Sequence, residues 1–175
     1  MCLIKKFKEW RHRRRERIYE GPEMDGGTRI RRDVDAPLEI ISRELVKFEC
    51  TYSALSLIDD DTLLRGVYTF SASVQGNGCT VSYGVSTHSG SSVCEPRPAQ
   101  LLCDIEELIR RYNVSQHNGR YYKVSGLPDF FGASVEAEFA SGEYISCYNN
   151  QDPFLPAEMI RELWLLFSEC ERKGK

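Results

Sequence analysis

His88 lies in the Ser/Gly-rich run 86–92 with Cys79 and Cys94 within ten residues on either side, and nowhere else do thiol and imidazole stand so placed. An imidazole beside a thiol favours the thiolate, the form that attacks carbonyl groups or ligates soft metals. The plain alternative is a loop histidine between two strand-end cysteines. Removal of Met1 would make Cys2 an N-terminal thiol with its own amine as base. Such a nucleophile opens a strand buried in a sheet sandwich, whereas Cys2 heads a charged segment. His12, His88 and His117 are far apart, none at metal-ligand spacing from another or from a cysteine pair, and no CxxC occurs. Asp59-Asp60-Asp61 lacks the alternating oxygens and turn glycine of a calcium loop and reads as a solvated turn. Asp129, between Pro128 and Phe130-Phe131, reads as a polar turn residue beside apolar anchors. GxGxxG, P-loop, GxSxG and HExxH patterns are missing. The expectation is a protein with no catalytic residue, no metal and no cofactor, more a binder than an enzyme.

The elements that would carry such side chains follow from composition and periodicity. With 175 residues, 41% hydrophobic and 28% charged, the chain suits one domain plus an appendage. Seven cysteines, an odd number placed mostly where apolar residues fit, read as buried hydrophobes in a reducing cytoplasm. Leu3-Ile4 is cut off by Lys5-Lys6, too short for a secretory leader, and no stretch has the length of a membrane span.

The net charge of −3 is unevenly divided. Residues 1–18 hold eight Lys/Arg against Glu9 and Glu16, a net of +6, which leaves −9 for the rest. Leu3, Ile4, Phe7, Trp10 and Ile18 share one helical sector, with Arg11 and Arg14 intruding, so residues 1–19 are expected to form a basic amphipathic helix. Lys5, Lys6, Lys8, Trp10, Arg11, Arg13, Arg14, Arg15 and Arg17 are its candidate contacts to an anionic surface, with cations at a lipid leaflet contributing about 1 kcal/mol each. The acidic remainder argues against nucleic acid. Gly21-Pro22 and Gly26-Gly27 mark residues 20–37 as a linker, followed by an α+β domain over 38–175.

In that domain, Val46, Phe48, Cys50 and Tyr52 alternate with polar residues as in a strand with one wet face. Strands over 67–74 and 80–86 face each other across Asn77-Gly78, which would pair Val74 with Val81, Ala72 with Tyr83 and Phe70 with Val85. A loop over 86–98 follows, and Pro98 is expected in the first turn of a helix carrying Leu101, Leu102, Ile105, Leu108 and Ile109. A further strand is expected at 120–124. The last hairpin turns through Ala140-Ser141-Gly142 with Gly142 left-handed, pairing Ala137 with Ile145 and Val135 with Cys147. A second helix opens at Pro156 with Met159, Ile160, Leu163, Leu166, Phe167 and Cys170 as its stripe. Pro98-Ala99-Gln100-Leu101-Leu102 and Pro156-Ala157-Glu158-Met159-Ile160 mark the same strand-to-helix change twice. The sum is a single antiparallel sheet of about six strands in two ββα-like halves, with both helices on one face. The other face is partly open, bearing Tyr144, Tyr148, Glu136 and Glu138, with Tyr121 or Tyr122.

Phe48-Glu49-Cys50-Thr51-Tyr52-Ser53, then Phe139-Ala140-Ser141-Gly142-Glu143-Tyr144-Ile145, then Tyr148-Asn149-Asn150-Gln151 before a terminal helix resembles a group of uncharacterised bacterial cytosolic α+β proteins. That resemblance spans residues 40–170 and implies no activity or functional residue. The expected function is a non-enzymatic intracellular protein-interaction module using Tyr144, Tyr148, Glu136 and Glu138 against an unidentified protein partner. The alternatives are a small thiol- or acid/base-dependent enzyme near His88, and a membrane-surface adaptor anchored by residues 2–18.

Overall fold

The computed structural model describes residues 19–20, 27–55, 65–86, 93–128 and 131–168. The strands are β1 (Tyr19–Glu20), β2 (Thr28–Arg32), β3 (Leu45–Ser53), β4 (Val67–Gln75), β5 (Gly78–Ser86), β6 (Val93–Pro98), β7 (Arg120–Val124), β8 (Ala133–Phe139) and β9 (Tyr144–Asn149). The helices are α1 (Gln100–Arg111) and α2 (Ala157–Ser168). All strands join one sheet in the order β1-β2-β7-β9-β8-β3-β4-β5-β6. The fold is α+β, as its patterning implies.

Two expectations about the sheet are corrected. It has eight strands of five or more residues plus the two-residue β1, and it is mixed, because β7 runs parallel to β9. The polar TRIRR segment in the expected linker is β2, paired with β7 along its whole length. Polar flanks and glycines hide it, since a strand next to the sheet edge, covered outside only by the two-residue β1, needs no apolar alternation. The expected loop before Pro98 ends in β6, with Pro96 and Pro98 two residues apart on the sheet edge. At that spacing both missing N–H groups fall on the outer side, where no partner strand needs them. Helix α1 therefore starts at Gln100 rather than at Pro98.

Alternation decides the layers. Phe48, Cys50 and Tyr52 of central β3 are at most 2% exposed, and they form one core with Phe70, Val81, Val135 and the stripes of both helices. On α2 that stripe is Met159, Ile160, Leu163 and Phe167, all fully buried. Trp164 lies edge-on to Tyr68 and Tyr83, each with ring centroids 5.6 Å away, closing an aromatic cluster with Phe70 and Phe167. Both helices thus share one face of the sheet.

The β8–β9 hairpin has the expected register, Ala137 opposite Ile145 and Val135 opposite Cys147, with Gly142 left-handed at φ +88°. In the β4–β5 hairpin the faces are as expected and the register is not. The turn is Gly76-Asn77, with Ala72 opposite Val81 and Phe70 opposite Tyr83. A slip of two residues leaves every side chain on its face, so alternation is blind to it. The observed register sets two aromatic rings side by side beneath α2, a cross-strand pair of the favourable kind.

Candidate functional site

The open face is built from the polar positions of the same strands. Its central row runs Ser146, Glu136, Glu49, Ser71, Ser82 across β9, β8, β3, β4 and β5. The adjacent row runs Arg31, Tyr121, Tyr148, Ser134, Thr51, Thr69 from β2 to β4. Pairing alone fixes these neighbours.

Glu49 and Glu136 stand directly opposite each other on neighbouring strands, a like-charge pair that weakens a sheet. Lys47 offsets it, with Nζ 2.9 Å from Glu49 Oε1 and 3.9 Å from Glu138 Oε1. Beside the two carboxylates is a shallow hollow of about 250 Å³, lined also by Thr51, Thr69, Ser71 and Ser134. Towards β2 the surface turns aromatic and basic. Tyr121 and Tyr148 stack with centroids 4.9 Å apart and planes 21° apart, and the Arg31 guanidinium carbon lies 5.5 Å from the Tyr121 centroid. Arg29 and Lys123 are paired two rungs further on, on the same face. The face therefore grades from cationic and aromatic, through anionic, to a field of hydroxyls.

Of the four residues expected here, Glu136, Glu138 and Tyr148 lie half-buried on this face. Tyr144 belongs to the same side by register, but it is 8% exposed and so offers no contact area. Its hydroxyl donates to Asp33 Oδ2 at 2.7 Å, because the chain leaving β2 crosses over that end of β9. Tyr121 shares the open side, while Tyr122 points to the other, opposite Ile30. The sequence gives little notice of Arg29 and Arg31; only the alternation Arg29-Ile30-Arg31 hints at a strand.

The other candidates are described only in part. Cys79 is buried, its Sγ donating to the Pro98 carbonyl at 3.4 Å, at the start of β5. Ser86 lies at the far end of that strand, about 23 Å away at the rise of an extended chain. His88 itself, the side chain of Cys94, Asp59-Asp60-Asp61, Asp129, Cys2, His12 and the cations of residues 1–18 lie outside the described residues. His117 packs against Phe154 with centroids 4.9 Å apart, and burial, then Arg120, lowers its pKa. Among the described residues no group of His, Cys, Asp and Glu has the arrangement of a metal site, and no helix is long and apolar enough to cross a membrane.

Comparisons with protein-family models, curated proteins and solved structures find no match to this chain.

Proposed function

We propose that this protein is a non-enzymatic interaction module that docks a partner protein on its open sheet face. The observation that carries this reading is the Tyr121–Tyr148 stack on the uncovered side, set between Arg31 and the Glu136/Glu138 carboxylates. Stacked tyrosines offer rigid contact area with little rotamer entropy to lose on binding. The graded charge beside them fixes the orientation in which a partner of reversed polarity can land. The hydroxyl field adds hydrogen-bond donors and acceptors that are wet in the free protein.

A photo-crosslinking residue placed at Ser134, in the row between Tyr148 and Thr51, tests the reading inside cells. The expected result is one reproducible protein adduct that is lost in the Tyr121→Ser/Tyr148→Ser double variant. A probe at Leu165, exposed on α2 on the helix side, is the control. Adducts from Ser134 no stronger than those from Leu165 would overturn the proposal.

A further inference from the structure

Charges of opposite sign on the open sheet face stand at equal and opposite steps from Tyr148. Tyr121 of β7 pairs with Tyr148, so Lys123 lies one strand away and two residues further along. Glu136, opposite Ser146, lies one strand away on β8, on the other side, and two residues in the other direction. Arg29, paired with Lys123, and Glu49, paired with Glu136, repeat the relationship one strand further out on each side. Strands are about 5 Å apart and two residues advance about 7 Å, so Lys123 and Glu136 are each about 8 Å from Tyr148, and Arg29 and Glu49 each about 12 Å. With Arg31 the cationic flank carries +3, and with Glu138 and Lys47 the other carries −2. All of these residues are exposed or half-buried.

We infer that the partner of this face is a second copy of the same chain, packed face to face about a two-fold axis through Tyr148. The inference rests on the reading of this face as a docking surface and names its occupant. A two-fold lying in the interface turns one sheet over onto the other, so every contact occurs twice. With the axis across the diagonal from Lys123 through Tyr148 to Glu136, Lys123 and Arg29 of one copy fall over Glu136 and Glu49 of the other, within reach of a long side chain. Tyr148 meets Tyr148 at the centre. The diagonals lie at about 45° to the strands, so the two sheets cross near a right angle, one of the two arrangements that packed sheets adopt. An axis along the strands would instead set Arg31 over Thr51 and leave the carboxylates unmatched. A foreign partner must bring the reversed polarity with it; this chain, turned over, already has it. The five strands from β2 to β3 present about 24 by 20 Å, so two such faces bury about 1,000 Å², the size of a weak, reversible contact.

Sedimentation of the full chain between about 1 and 500 μM, a range that brackets a contact of this size, is the test. The wild type is expected to pass from one chain to two as concentration rises. Arg29→Glu/Lys123→Glu and Glu49→Lys/Glu136→Lys should each associate about ten-fold more weakly or worse, since like charges then meet at both contacts. An equimolar mixture of the two should restore association, because each variant carries the charge that the other now faces. Where a reversal variant fails to fold by circular dichroism, glutamine at the same two positions replaces it, and its association must still be weaker than that of the wild type. A wild type that stays monomeric across the range, association indifferent to the variants, or folded reversal variants that mixing does not restore, each overturns the inference. The photo-crosslinking residue at Ser134 separates this inference from the reading beneath it. An adduct of two copies of the chain supports both, and an adduct to a different protein overturns the second copy while leaving the docking face intact. No adduct above the Leu165 control removes both.

Discussion

Asn118 and Asn150 close opposite ends of the same short parallel pairing. Strands β7 and β9 share only two residue pairs, Tyr121 with Tyr148 and Tyr122 with Asn149. Asn118, just before β7, accepts from Ser146 N–H at 2.8 Å and donates to the Tyr144 carbonyl at 2.7 Å. Asn150, just after β9, accepts from Val124 N–H at 2.8 Å and donates to the Val124 carbonyl at 3.0 Å. Each side chain supplies to the neighbouring strand the bonds that a longer ladder would have made. Both are at most 1% exposed, and the bonds they make are buried or partly buried.

Replacing either asparagine with alanine is therefore expected to lower the unfolding free energy by about 1–2 kcal/mol, the cost of leaving partly buried backbone groups unpaired. Urea unfolding followed by Trp164 fluorescence, in a Trp10→Phe background, measures it. Losses under about 0.5 kcal/mol in both variants would mean that the pairing does not depend on them.

How much of this was legible in sequence depends on what each device leaves in the pattern. Alternation in β3, β8 and β9 marks the core face because Phe48, Val135 and Cys147 recur with period two. The left-handed turn at Gly142 is legible for the same local reason. The parallel contact is not, since two rungs held by asparagines leave no apolar run, and Asn118 and Asn150 read as ordinary loop residues. Tyr144 is assigned to the correct side by its register. What covers it, Asp33, is more than a hundred residues away, and no local rule connects them.

The connection between β2 and β3, residues 33–44, is a strap gripped on both sides of its peptides. Glu143 accepts the N–H groups of Ile41 and Ser42, both at 2.9 Å, while Arg110 donates to the carbonyls of Ile40 and Ser42. The Ile41 N–H, then Ser141 and Ser42, with the Arg110 charge, hold the Glu143 carboxyl below its usual range against a smaller opposing effect of burial. A carboxyl whose folded pKa lies below its unfolded value adds stability that is complete above the unfolded value and disappears as pH falls through the folded one. Glu143→Gln should thus cost about 1 kcal/mol at pH 7, modest because the group is partly exposed. The difference from wild type should shrink as pH falls through about 4.3, the midpoint of the unfolded carboxyl's titration, and below. A difference independent of pH would show that the carboxylate charge contributes nothing.

The described cysteines should differ sharply in reactivity. Cys50 and Cys147 face the core in one row through Val135, and burial raises both thiols, Cys147 to about 12. Cys103 is exposed on α1. Because the thiolate is the reactive form, alkylation at pH 8 with peptide mass spectrometry should label Cys103 on the order of a hundred-fold faster than Cys50 or Cys147. Comparable rates in the folded protein would mean that the core opens readily.

Two glycines with positive φ separate strain from crowding. Gly76, at φ +59° in the β4–β5 turn, has open space where a Cβ would go, so alanine there meets only the backbone penalty of the left-handed region, about 1 kcal/mol. Gly119, at φ +75°, would place a Cβ 2.6 Å from the Asp33 carbonyl oxygen and 2.7 Å from Ala36 Cβ. Its own carbonyl meanwhile accepts the Asp33 N–H. Alanine at 119 must therefore push the strap off the start of β7, adding an overpacking cost to the same strain, about 2–4 kcal/mol in all. Denaturation midpoints of the two variants compare them directly. Equal losses would show that the strap yields freely at this crossing.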